Sequence, residues 1–332
     1  MNTKKTKLYR FYETLPGFFV WSTLVIIILL SIFAPMAAIY VVIVFDLYWL
    51  LRVFYFILYL SISWSRYKKS IAIDWSEQLK VDYFGTYEKY YHLVFFPFYN
   101  EPYEVIKHTM DELKKVHYDK KKFIVVLGGE GRNEQHAREV GERIVKEYED
   151  VFHTILFTLH PDGIVGEIKG KGANAYHMGV ETKKLIDRLG IPYEDIILSY
   201  FDSDTTTHQQ YFAYLTHTFL SVENPYRCSF QPVALYNNNI WDVNPVTRIA
   251  SYGTTFWLLS ELARPDRLYT FSSHSMSWKA LVEVGFFERD LVSDDSRIFL
   301  QCFFRYDGDY QTIPMYIPVS MDTVDAPTVW ES

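Results

Sequence analysis

Cysteine is almost missing from this chain. Its 332 residues include two, Cys228 and Cys302, and neither lies in a C-x-x-C pair. That pattern excludes a disulfide framework, gives no zinc-site signature and suits a reducing compartment. A basic footprint is missing too. Lys and Arg number 33 against 40 Asp and Glu, a formal net charge of −7. Nucleic acid is thereby excluded as the partner, because phosphate backbones are bound by clustered positive charge. The ten histidines show no H-E-x-x-H or other ligand spacing. No internal repeat and no low-complexity tract is present.

Charge is also absent from residues 14–45, and apolar character continues to about residue 60, interrupted only by Asp46 and Arg52. One membrane span takes roughly 20 residues, so the block holds two. Pro35, in F-A-P-M-A, breaks it, because proline cannot continue a helix. We read spans at 17–33 and 37–60, inside a transmembrane hairpin of 16–64 that follows a basic N-terminus, 1–15. Asp46 and Arg52 need a protein- or water-facing position. Alternatively, the part after Asp46 lies flat at the interface, which its Tyr, Trp and Phe content also suits. Lys4, Lys5, Lys7 and Arg10 precede the first span, and Arg66, Lys68 and Lys69 follow the second. The positive-inside rule puts both ends in the cytosol. The block is too long for a cleaved signal peptide. The expected location is the plasma or inner membrane, multi-pass and in contact with membrane lipid, with the rest of the chain cytosolic.

Residues 65–88 read as a polar, aromatic linker. From 89 onward apolar runs alternate with helical periodicity. H-L-V-F-F-P-F-Y (92–99), K-F-I-V-V-L-G-G (122–129), F-H-T-I-L-F-T-L (152–159) and D-I-I-L-S-Y-F (195–201) suit buried strands. Between them, Ile106, Met110 and Leu113, then Ala137, Val140 and Ile144, mark helix faces, and a third helix ends at Gly190. A further helix runs through Tyr211, Leu215 and Phe219. Repeated β-α units predict an α/β fold, a mostly parallel sheet with helices on both faces. After Arg227 the rhythm changes to strands of a mixed half. A short helix and an amphipathic helix with Ile298, Phe299, Cys302 and Phe303 follow, then a last strand in Y-Q-T-I-P-M-Y-I-P-V-S-M. The domain is expected over 89–332, as halves 89–210 and 211–332.

The fourth strand runs straight into F-D-S-D, with Asp202 and Asp204 at its carboxyl end. Carboxylates leaving a buried strand must be paired, hydrogen-bonded or bound to metal. In parallel sheets ligands bind at such ends. Hard oxygen donors select Mg2+ or Mn2+. Upstream lie P-F-Y-N-E-P (97–102), G-G-E-G-R (128–132) and E-I-K-G-K-G-A-N-A-Y-H-M-G (167–179); downstream lies V-S-D-D-S-R-I-F (292–299). Glycines around Lys169 and Lys171 allow close approach to phosphate, and lysine adds positive charge. A plain flexible loop is the alternative. Asp294 and Asp295 suit a helix start for dipole reasons alone, or a general base.

In this order the motifs resemble the membrane-anchored family 2 glycosyltransferases of GT-A fold, over residues 90–332. The resemblance implies a nucleotide half that uses Pro97, Tyr99, Asn100, Glu101, Lys171, Asn174 and Asp202, on a UDP- or GDP-sugar donor. It implies Asp204 as metal ligand, with Asp202 close to the ribose or a metal-bound water. It implies Asp295 as the base, beside Asp294, in inverting transfer to a glycan or lipid-linked hydroxyl. Two departures stand out. Many members carry paired aspartates where this chain has Gly129 and Glu130, so either Glu130 contacts the base and Arg132 a phosphate, or the stretch is a strand-end turn stabilised by its glycines. The usual leucine before asparagine is out of register at Asn174. His274 and Trp278 sit on the expected acceptor side, each with a structural role as the alternative. No Q-x-x-R-W occurs, from which we expect a chain truncated before that interfacial helix. Two rival readings remain. D-x-D-x-T also matches the nucleophile motif of haloacid-dehalogenase-type Mg-dependent phosphatases, and an inactive membrane scaffold would share the fold.

Overall fold

The structure, a computed structural model, describes residues 7–323. Lys4 and Lys5, and the segment 324–332 that follows the last strand, lie outside the described residues. The chain forms two compact units, divided between Leu58 and Tyr59.

The first unit is built from α1 (Lys7–Phe33) and the first part of α2 (Pro35–Ser70). Both are long and apolar enough to cross a membrane. Pro35 opens α2 after the single residue Ala34, as a residue lacking a backbone N–H should. The expected second span ended at residue 60, whereas α2 continues without interruption to Ser70. The stretch read as a linker is therefore largely helical. It also holds α3 (Trp75–Tyr83), whose N-cap Asp74 accepts from the N–H groups of Ser76 (3.1 Å) and Glu77 (3.2 Å). The signal was D-W-S-E, an Asp cap with a Glu three residues on.

The second unit follows the predicted alternation: β1 (Tyr91–Pro97), α4 (Tyr103–Lys115), β2 (Phe123–Glu130), α5 (Glu134–Tyr148), β3 (Thr154–His160), α6 (Lys171–Leu189) and β4 (Ile196–Tyr200). Next come β5 (Thr206–Thr207), α7 (Tyr211–Ser221), β6 (Cys228–Tyr236), α8 (Pro245–Leu262), β7 (His274–Ser277), α9 (Trp278–Glu283), α10 (Asp294–Arg305) and β8 (Gln311–Met321). One eight-stranded sheet has the order β3-β2-β1-β4-β7-β6-β8-β5. Strands β3, β2, β1 and β4 pair in parallel, as do β6 and β8, while β7 and β5 pair antiparallel to their neighbours. The stretch R-L-Y-T-F-S-S-H-S-M-S-W (267–278), which reads as one of the strands of the mixed half, contributes only β7. The helix α8 was not anticipated, although Asn244 caps it (Thr247 N–H to Oδ1, 3.0 Å) and Pro245 opens it, a legible start signal.

Side-chain alternation divides the core between the sheet's two faces. Val94, Phe96, Val125 and Leu127 meet α4, α5 and α7 through Met110, Ile144 and Phe212. Leu93, Phe95, Ile124 and Val126 meet α6, α9 and α10 through Met178, Trp278 and Ile298. Helix α6 lies very close to β2: a Cβ on Gly128 would come within 2.3 Å of Met178 Sδ. It ends at Gly190, whose φ of 67° is the left-handed C-cap conformation that glycine adopts without steric cost.

Trp278 is fully buried in the second cluster, edge-on to Phe95 at 6.2 Å and tilted against Phe286 at 5.9 Å. It offers no face to a sugar, which corrects its acceptor-side reading in favour of the structural alternative. Trp278→Ala should therefore destabilise the fold by about 3–5 kcal/mol, read as a lowered midpoint in chemical denaturation followed by circular dichroism. An unchanged midpoint would mean that the ring is dispensable to the core.

Candidate active site

The parallel half switches direction at β1: the chain runs outward to β2 and β3, then returns to place β4 on β1's other side. The carboxyl ends of β1 and β4 flank this switch point, where α/β sheets bind ligands. A cleft of about 430 Å³ opens there, lined by Pro97, Tyr99, Glu101, Glu130, Arg132, Lys171, Asn174, Asp202 and Asp204. Of the predicted nucleotide residues only Asn100 is not among its lining; its Oδ1 accepts from Asn133 Nδ2 at 2.9 Å. A larger cavity, about 510 Å³, lies near Glu88 and Lys122, which precede β1 and β2 at the opposite edge of the sheet. No motif reaches it.

Lys171 is the first residue of α6, so the expected loop ends at Gly170. A cation is disfavoured at a helix N-terminus, and here two carboxylates counter it. Lys171 Nζ stands 2.6 Å from Asp202 Oδ1 and 3.5 Å from Asp295 Oδ1. It also lies 4.2 Å from the centre of the Tyr200 ring. Burial works to deprotonate this amine, but Asp202, Asp295 and Asp294 together raise it well above the ordinary lysine range. Asn174, one turn on, is buried and donates to the Gly128 carbonyl at 2.7 Å.

The two aspartates after β4 differ sharply. Asp202 has a partner on each oxygen: Oδ1 takes Lys171 and Oδ2 accepts from Ser272 Oγ. Burial opposes its ionisation, yet Lys171 and Ser272 hold its carboxyl below the usual value. Asp204 accepts one hydrogen bond on Oδ2, from the Asp322 N–H at 3.1 Å, while its buried Oδ1 has no partner among the described residues. Burial and the neighbouring charges of Asp202 and Asp322 push its carboxyl up to about 7. Among the described residues no three acidic, histidine or cysteine side chains form a ready cage. An orphaned carboxylate oxygen nonetheless fits Mg2+ or Mn2+, which keep waters and take substrate phosphates as their remaining ligands.

Asp294 and Asp295 open α10 and divide in the same way. Tyr200 donates its hydroxyl to Asp294 Oδ2 at 2.5 Å, and Asp294 is buried. Asp295 keeps a quarter of its side chain exposed. Burial raises both carboxyls; Asp295 adds to the rise of Asp294, and Lys171 opposes both. His274 is wholly buried, and its Nδ1–H donates to the Phe271 carbonyl at 3.1 Å. Burial, aided by Lys171, lowers it to about 4. It is a neutral strut 3.8 Å behind Asp295, not a group facing an acceptor.

Motif reading missed several members. Tyr236, Met321 and Asp322 line the cleft from the second half, brought there by the β6–β8 pairing, which no local pattern encodes. Asn238 donates to the Asp204 carbonyl at 3.1 Å. Behind Glu130 stands His160, with Nδ1 3.4 Å from Glu130 and Nε2 2.9 Å from Glu167. Arg132 Nε reaches Glu130 at 3.3 Å and packs over the Tyr99 ring at 4.1 Å.

No protein-family profile matches the chain, and no curated protein matches it. Solved structures resemble its backbone. One is the mannosyltransferase PcManGT from Pyrobaculum calidifontis in complex with GDP-Man and Mn2+. The match is 16% identical with a TM-score of 0.49, over 83% of this chain and 68% of that one. Another is S. aureus TarS 1-349 in complex with UDP-GlcNAc, 11% identical with a TM-score of 0.44, over 73% of this chain. A third is GalNAc-T7 with UDP, GalNAc and Mn2+, 9% identical with a TM-score of 0.43, over 70% of this chain. The matches span 61% of the second structure's chain and 44% of the third's.

Both ring nitrogens of His160 face carboxylates, an arrangement that favours the imidazolium. The bond to Glu130 raises its pKa, against burial and with help from Glu167. A raised folded-state value means that the contribution to stability is complete below the ordinary histidine value and is lost as pH climbs through the folded one. Unfolding free energy should therefore fall as pH rises from 6.5 into the alkaline range, and His160→Gln should flatten that slope. A wild-type curve already flat there would show that His160 is neutral in the fold.

Proposed function

We propose that this chain is a metal-dependent, inverting glycosyltransferase of the family 2, GT-A type. It moves a hexosyl group from a UDP- or GDP-sugar to a hydroxyl of a glycan or lipid-linked acceptor at the cytosolic membrane face. One observation carries the reading: Lys171 joins the aspartate turn of β4 to the aspartate pair of α10 at the topological switch point. Three motifs far apart in sequence thus meet at Lys171, a residue of the cleft wall. The same convergence favours this reading over the phosphatase one, which asks only for the β4 aspartates and a lysine.

The residues divide the work. Asp204, with its free buried oxygen, and the neighbouring Asp202 would hold Mg2+ or Mn2+, and the bound cation would neutralise charge gathering on the departing diphosphate. Lys171, at the N-terminus of α6, adds positive charge where helix N–H groups already favour phosphate. Tyr99, Glu101, Glu130 and Arg132 line the wall for the nucleoside. Asp295 takes the proton of the acceptor hydroxyl as that oxygen bonds to the anomeric carbon. The bond from that carbon to the diphosphate breaks on the opposite face, so the configuration inverts. A partly exposed carboxyl that its surroundings raise suits a base. Asp294, tied to Tyr200, positions the helix start.

Asp204→Asn should abolish Mn2+ binding in an electron paramagnetic resonance titration and, with it, turnover of nucleotide-sugar. Full activity in EDTA would exclude the metal role. Separately, Asp295→Asn should cut kcat by about 10²–10⁴-fold while leaving donor affinity nearly intact, because the base acts in the chemical step. Equal loss of binding and rate would identify Asp295 as a structural acid. Hydrolysis of a generic aryl phosphate, with no turnover of nucleotide-sugars, would replace the proposal with the phosphatase reading.

A further inference from the structure

Helix α8 presents an outer face without a single charge. Every residue of it that is exposed is apolar, small or aromatic, including Val246, Ile249, Tyr252, Phe256 and Trp257. Ile249 is 73% exposed, and Trp241, just ahead of the helix, is 74% exposed. The two charged side chains of α8 are turned away. Arg248 donates to the carbonyls of Ile240 (3.0 Å), Trp241 and Val243 (both 3.2 Å) in its own entry loop. Glu261 binds Arg267 and Arg264. A contiguous apolar surface of this kind marks an interaction site.

The neighbours of α8 indicate what covers it. Its inner residues Leu259 and Leu262 share a cluster with Val233, Leu268 and Tyr316, and Leu60 and Tyr67 of α2 pack on that cluster. Arg66 donates to Tyr316 at 2.9 Å. The α2 segment from Tyr59 onward therefore belongs to the same compact unit as α8. The stretch of α2 before it is long and apolar enough to cross a membrane. Where α2 meets α8 it carries an exposed Trp64 and the exposed cations Lys68 and Lys69. Tryptophan and basic residues at the end of an apolar helix are the residues of a membrane interface, and the cations complement anionic headgroups.

We propose that the outer face of α8 docks into the headgroup and upper acyl region of an anionic bilayer, as an interfacial helix continuous with the emerging end of α2. Such helices lie in the plane with the apolar face buried about 5–10 Å. The proposal rests on α2 as a membrane segment and not on the chemistry of the cleft. It has a consequence for the cleft, because the loop entering α8 carries Asn238, which holds the Asp204 turn. Lipid contact and the aspartate turn are thereby mechanically joined.

The test uses the full chain in vesicles of phosphatidylcholine and phosphatidylglycerol. Ile249→Cys, and separately Phe256→Cys, carry a polarity-sensitive fluorophore; Cys228 and Cys302 are buried and escape labelling. Glu142→Cys, on the exposed face of α5, is the control. We expect blue-shifted emission at both α8 positions, and severalfold stronger quenching there than at the control by lipids bearing a nitroxide high on the acyl chain. Emission as polar as the control overturns the proposal. So does blue-shifted emission without lipid quenching, which would assign the face to a second copy or to another segment of the chain.

Discussion

The ammonium group of Lys171 is the contact on which the cleft depends. It is placed where a helix least favours a cation, and it is kept there by Asp202 and Asp295, which it in turn bridges. Truncating one member of a buried ion pair costs several kcal/mol because the other charge is stranded. Here the groups stay partly exposed, so solvent screening reduces that figure. The geometric effect is undiminished: without the lysine, two carboxylates from opposite halves of the domain would be left with no cation between them.

Around that contact the acidic residues fall into pairs with unequal freedom. In each pair one carboxylate is tied by the protein and the other keeps an open oxygen. Asp202 is occupied by Lys171 and Ser272, whereas Asp204 Oδ1 is unpartnered; Asp294 is held by Tyr200, whereas Asp295 is partly exposed. A tied carboxylate is held in position, and an open oxygen can take a further partner. Tyr200 serves both arrangements. It ends β4, stacks under Lys171 and bonds Asp294, so the strand that delivers the first pair also anchors the second.

Surface and site are linked through α8. The helix packs inward on β6, in a cluster that the segment of α2 after Leu58 also joins, and its outer face meets none of the described residues, while its entry loop reaches the Asp204 turn. A helix with one satisfied face and one apolar exposed face is complete only with a partner. An apolar medium at that face would orient the cleft without touching it.

Much was legible in the sequence, and for a physical reason. Apolar periodicity reports burial, so the β-α alternation, the faces of α4, α5 and α7 and the Gly190 stop could be read locally. Turn and cap chemistry is local as well; the Asp74 and Asn244 caps were present to be read. Residue type alone could not say whether a side chain is saturated. Asp202 and Asp204 look alike in F-D-S-D, yet their difference comes from Lys171, Ser272 and Asp322, which arrive from three other segments. Nor could it separate an aromatic in the core from one at a site, so only packing placed Trp278 beneath the sheet and closed His274 to solvent. The sequence by itself determined the β-α alternation from β1 to β4, because that follows from neighbours a few residues apart. The tertiary structure decided which carboxylates remain free, because charge and hydrogen bonding are settled by groups that meet only after the sheet has formed.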